Sequence, residues 1–69
     1  MHLTDLFARN LHGIRTQKRL SQQSLASKAR LSVSYISMLE RGQRSPPFET
    51  IEVLAKALGI APIALLQKR

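Results

Sequence analysis

Residues 21–42 read SQQSLASKARLSVSYISMLERG, the punctuation of two short helices joined by a tight turn. Ser21 is a good N-cap, and 22–28 is predicted to form a helix with Leu25, Ala26 and Ala29 on its inward side. Residues 29–31 make the turn. Ser32 caps a second helix over 33–41, and Gly42 stands where helices commonly end in a left-handed residue. In that second helix Ile36 and Leu39, three apart, face one way. Val33, Ser34, Ser37, Met38 and Arg41 lie around the other side. A short helix that shows small, polar and cationic side chains outward while propped on a partner helix suits the DNA major groove. The expectation is a helix-turn-helix.

The surrounding residues sharpen it. L-S-Q-Q-S-L-A, then L-S-V-S-Y-I-S-M-L-E-R-G, then a proline and T-I-E-V-L-A-K-A-L-G-I, resemble the Cro/CI-type (XRE) family of helix-turn-helix repressors over about residues 11–66. The phage lambda and 434 repressors belong to that family. The resemblance implies an all-α, five-helix, lambda-repressor-like fold with the helix-turn-helix at helices 2 and 3. It also implies roles. Gln22 matches a family glutamine that touches the DNA backbone. Val33, Ser34 and Met38 fall where base-contacting side chains are placed, with Ser37 beside them. Arg15 and Glu40 match an ion pair between the first helix and the end of the reading helix. Arg30 departs from the pattern: the family usually has glycine there, because the backbone is commonly left-handed.

Length and charge fit. Sixty-nine residues allow one domain, 1–69, with one small core. No cysteine is available for a disulfide or a thiolate-bound metal, so a second subunit is the available reinforcement. A net charge of +7 and a pI near 11.3 favour an acidic polymer as partner, although basic charge alone also serves solubility. The opening MHLTDLFARN has no apolar run of signal-peptide length, and no stretch approaches a membrane span. The expected location is therefore cytoplasmic and nucleoid-associated, with no membrane partner.

In chain order, Thr4 is a candidate N-cap with Asp5 in the first turn. Leu3, Phe7, Leu11 and Ile14 form one apolar stripe of a helix running to about residue 18. His2 and His12 have neither cysteine nor a carboxylate cluster to complete a metal site, and no serine has a His–acid pair to activate it. No cofactor and no enzymatic activity are expected. Gln22 and Gln23 begin the second helix, where free N–H groups and the helix dipole can hold a phosphate. Val33 and Met38 could pack on thymine methyl groups and Ser34 could bond to a purine. None is Arg, Asn or Gln, so strong bidentate base contacts are absent and shape and phosphate anchoring must supply more. Met38 could instead fill the core, and Tyr35 could reach a phosphate or pack on the second helix. Arg41 and Arg44 flank the loop GQRSPPF and can reach the sugar-phosphate backbone.

A fourth helix follows over 48–58, with Ile51, Leu54, Ala55 and Leu58 inward and Gly59 as its stop. Pro47 replaces the small polar cap often seen before it. Pro62 opens a short fifth helix with Ile63 and Leu66 on one side and Leu65 beside them. Ile60, Ile63, Leu65 and Leu66 together exceed what one short helix buries, which places a homodimer contact there. Glu40, the single acid of the helix-turn-helix, needs a compensating cation, and Arg15 borders the buried stripe of the first helix. The reading is a double-stranded DNA-binding transcriptional regulator, most simply a dimeric repressor on a two-fold operator. An antitoxin that binds a toxin and its own operator, or a protein-interaction module of the same fold, remain the alternatives.

Overall fold

The computed structural model describes residues 2–68. Four α-helices follow one another: α1 over Leu3–Gln17, α2 over Gln22–Ala29, α3 over Val33–Glu40 and α4 over Phe48–Leu58. A 3-10 helix over Pro62–Leu66 closes the chain. α1 packs on α3 and on the 3-10 turn, α2 packs on α3 and α4, and α4 covers the turn from the other side. Among the described residues there is no strand, and no helix is long and apolar enough to cross a membrane.

The local signals explain the boundaries. The Ser21 hydroxyl accepts from the Ser24 N–H at 2.9 Å and Ser32 accepts from the Tyr35 N–H at 3.0 Å, each satisfying a donor left free by the first turn. Each of the four α-helices ends in the same way. A left-handed residue follows (Arg19, Arg30, Gly42 and Gly59, all with φ between 58° and 72°), and the next N–H reaches back five residues. These bonds are Leu20 to Arg15, Leu31 to Ala26, Gln43 to Met38 and Ile60 to Ala55, at 2.9–3.1 Å. This is the Schellman arrangement, and Leu20, Leu31 and Ile60 add its usual apolar contact by packing onto the core. Arg30 takes the left-handed conformation expected of its place in the turn, and Arg19 does the same unannounced. At Gly42 a Cβ would lie 3.3 Å from an Asp5 carboxylate oxygen, so the loop after α3 also passes close against α1.

The core takes Phe7, Leu11 and Ile14 from α1, Leu25, Ala26 and Ala29 from α2, and Ile36 and Leu39 from α3. Ile51, Leu54, Ala55 and Leu58 come from α4, and Leu65 from the turn. Burying one large apolar side chain contributes roughly 1.5–3 kcal/mol, so every element is held by the others.

Four expectations are corrected. Thr4 is not the cap of α1. The helix starts two residues earlier, after His2, with Leu6 N–H bonded to the His2 carbonyl, and Thr4 Oγ1 instead shares a 2.8 Å hydrogen bond with Ser45 Oγ. Leu3, at the end of the apolar stripe, overhangs the core and is 62% exposed. The fifth element is a 3-10 turn and not an α-helix: five residues opened by a proline cannot establish an α ladder, and Ala64 N–H bonds three residues back to Ala61. Finally, Leu65 is not available to a partner. It is fully buried in this chain's own core, whereas Ile63 is 58% exposed and Ile60 and Leu66 are half-buried.

What fixes that turn is a residue without an assigned role in the sequence. Asn10 is buried on α1, and its carboxamide nitrogen donates to the carbonyls of Leu65 at 2.9 Å and Gln67 at 2.8 Å. The signal was present: position 10 lies three after Phe7 and four before Ile14, on the apolar face, where an asparagine must find partners.

Candidate nucleic-acid interface

α3 presents Val33 and Ser34 as exposed side chains at its N-terminal end, with Ser37 and Met38 half-buried further along and Arg41 exposed at its C-cap. Ile36 and Leu39 are fully buried behind them, which sets the helix's rotation. Met38 is not among the half-buried side chains packed on the core, so it belongs to the outer face. Tyr35 is among them, so its ring packs inward. Arg44 is exposed in the loop that follows. From α2, Gln23 is exposed and Gln22 half-buried at the helix start. Of the residues singled out from the sequence, Gln22, Gln23, Val33, Ser34, Ser37, Met38, Arg41 and Arg44 are thus all at least partly accessible.

α3 is anchored by one carboxylate. Glu40 accepts from Arg15 Nε at 2.6 Å on Oε2 and from Arg15 Nη2 at 3.0 Å on Oε1, a bidentate pair whose side chains are only 10% and 4% exposed. The third arm of the guanidinium, Nη1, donates to the Leu20 carbonyl at 2.7 Å, just before the Ser21 cap. Gln22 Nε2 adds a further bond to Glu40 Oε1 at 3.0 Å. One ion pair therefore joins α1, the entry to α2, and the end of α3. Burial alone would push the Glu40 carboxyl up. The hydrogen bonds from Arg15 and Gln22, with the charges of Arg15 and His12, outweigh it and hold the group below its ordinary value of 4.5. The pair also neutralises the single acid of the helix-turn-helix, so Arg41 and Arg44 set the charge of this face. The Arg15–Glu40 pair was expected from the sequence; the inclusion of Gln22 was not, because nothing in its spacing points at Glu40.

A second surface contains Ile63 and Leu66 of the expected contact and extends beyond it to α1 and α4. Phe48 is 82% exposed at the start of α4. With Leu3, Pro46, Ile51, Ile63 and Leu66 it lines two adjoining apolar hollows that share Phe48, Ile51 and Leu66. Nothing from α2 or α3 contributes to them. The signal was a phenylalanine at the first position of a helix, out of step with the inward set Ile51, Leu54, Ala55 and Leu58.

Two helices meeting at a tight turn, a locked second helix with a small polar outer face, and flanking arginines define a helix-turn-helix DNA-binding regulator. The family model described as Helix-turn-helix (HTH_3) matches residues 11–65, and the chain belongs to this family. It is 42% identical over 62 residues to the control protein C.BamHI of Bacillus amyloliquefaciens, covering 88% of this chain and 76% of that protein. It is 41% identical over 56 residues to the immunity repressor of Bacillus phage phi105, covering 81% of this chain but only 39% of the repressor. Among solved structures it resembles the restriction-modification controller protein C.Esp1396I, determined as a tetramer in complex with its natural 35 base-pair operator. The TM-score is 0.87 with 28% identity, over 94% of this chain and 86% of that one.

Proposed function

We propose that residues 1–69 act as one DNA-binding unit that pairs with a second copy on a two-fold operator and represses transcription by occluding a promoter. The observation that carries this reading is the Arg15–Glu40 lock, which holds an exposed, small-residue helix face rigidly against its partner helix. α3 enters the major groove with Val33, Ser34, Ser37 and Met38 toward base edges. Gln22, Gln23 and the N-terminus of α2 meet one phosphate run, while Arg41 and Arg44 meet another. Tyr35, packed inward, supports the helix and brings only its rim to the DNA. With no bidentate base reader on α3, selectivity comes in larger part from DNA shape. One such helix reads few base pairs, so two copies a helical turn apart are required, and the apolar surface of Leu3, Phe48, Ile63 and Leu66 is their contact. C.Esp1396I, a relative of similar fold, assembles as a tetramer on its operator, which supports a multimeric reading. Such a regulator works at the nucleoid in the cytoplasm, without catalysis.

Selection of bound sequences from a random duplex pool tests the reading, and a two-fold-symmetric consensus is the expected result. A dimer touching roughly 6–10 phosphates should lose about 10³–10⁵ in affinity between 50 and 200 mM salt. Affinity that barely changes over that range would refute phosphate-anchored binding.

A further inference from the structure

We infer that Glu40 is a positioning residue for DNA-backbone recognition: it orients the Gln22 carboxamide so that a single N–H is presented to a phosphate at the start of α2. The inference rests on the proposed role of α2's N-terminus and assigns how that contact is made. A glutamine amide ordinarily offers either its oxygen or its nitrogen outward, and only the nitrogen suits a phosphate, whose oxygens accept hydrogen bonds. A carboxylate also only accepts. With Glu40 Oε1 3.0 Å from Gln22 Nε2, the amide is held with its nitrogen on the carboxylate. One of its two hydrogens is taken and the other is free.

The carboxylate is itself immobile. Arg15 grips both of its oxygens and, through Nη1, the Leu20 carbonyl at the entry to α2. The Ser24 N–H is already used by the Ser21 hydroxyl, and the first backbone bond of the helix runs from Leu25 to Ser21. The first-turn N–H groups of Gln22 and Gln23 have no partner within the helix, so with the free amide hydrogen they leave three donors on the first two residues of α2. Arg15 offsets the charge of Glu40, which would otherwise repel the phosphate. Ordering the side chain during folding removes rotamer loss from the binding step.

The test is a double-mutant cycle on the full chain, using an operator duplex obtained by selection and a temperature at which every variant is folded. Gln22→Ala should weaken binding about tenfold in the wild-type background, and by less than about twofold in the Glu40→Gln background, where a carboxamide at 40 no longer dictates orientation. A purely structural role for Glu40 would lower the melting temperature and leave the two effects on affinity additive; additivity overturns the inference. Should Glu40→Gln fail to fold, the side-chain amide resonances of Gln22 decide. In the wild type one amide proton should keep its carboxylate-bonded shift when operator is added while the other moves, and loss of the first shift on binding overturns the inference. An unchanged affinity for Gln22→Ala, with Arg44→Ala still impaired, overturns it too but leaves DNA binding standing. Failure of the wild type to bind any selected duplex would instead sink the underlying reading.

Discussion

Glu40 carries more of the molecule's organisation than its count of atoms suggests, and two consequences belong to this single residue. Removing one partner of a buried ion pair strands the other, a loss of about 3 kcal/mol or more, and about 1 kcal/mol moves the midpoint by roughly 4–8 °C in a chain of this size. Glu40→Gln should therefore melt well below the wild type, whereas Glu49→Gln and Glu52→Gln, at exposed positions, should melt close to it. Comparable melting curves for the three variants would contradict the buried lock. The second consequence concerns acid. Because the folded-state carboxyl is held below its unfolded value, its contribution is complete above about pH 4.5 and disappears as pH falls through the folded value. The gap in melting temperature between wild type and Glu40→Gln should narrow from pH 7 to pH 3 at constant ionic strength. Arg30 is the opposite case, a residue held against its preference: at φ 58° and ψ 43° a side chain with a Cβ loses roughly 1 kcal/mol. Arg30→Gly should raise the melting temperature by a few degrees in thermal melts.

At the scale of elements, the 3-10 turn is the part that depends most on others. Its five residues have no ladder of their own, and it is held by Leu65 in the core and by Asn10 on its carbonyls. Asn10→Ala should destabilise the fold by about 1–3 kcal/mol, with the largest increase in amide exchange in the segment that Asn10 tethers. Uniform exchange changes across the chain would count against a local tether. The helices themselves were legible. Ser21, Ser32, Gly42 and Gly59 are local stop and start signals whose chemistry does not depend on distant residues, and α4 begins and ends where its period and its glycine place it. The turn was not, because five residues are too few to distinguish a three-residue from a 3.6-residue period. The deciding partner, Asn10, lies more than fifty positions away, so local spacing does not show which way Leu65 faces. The outward set of α3 and the Arg15–Glu40 pair could be anticipated because buried Ile36 and Leu39 fix the rotation that puts their neighbours where they are. The third member of the pair, Gln22, required the fold.

For the whole molecule, the two surfaces draw on different helices: the proposed reading face comes from α2, α3 and Arg44 of the loop after it, the apolar surface from α1, α4 and the turn, with Pro46 of that loop at its edge. This separation makes their roles experimentally divisible. Phe48→Glu introduces a charge at an 82% exposed position and should leave the monomer folded while reducing both self-association and operator affinity. Sedimentation and binding measured on the same variant check it; a fully dimeric Phe48→Glu protein would place the contact elsewhere. Leu65→Glu should behave differently and unfold the chain, since it would strand a carboxylate in the core.

Ile63 and Leu65 stand two residues apart in one short turn, one directed to solvent and the other into the interior. A partner that settles on Ile63 consequently braces the same backbone segment that holds Leu65 in place. By mass action, crowding more copies into a volume then hardens each copy, and dilution softens it. Such a regulator would carry a built-in reading of its own abundance: scarce copies would be both unpaired and more readily degraded, and abundant ones both paired and long-lived.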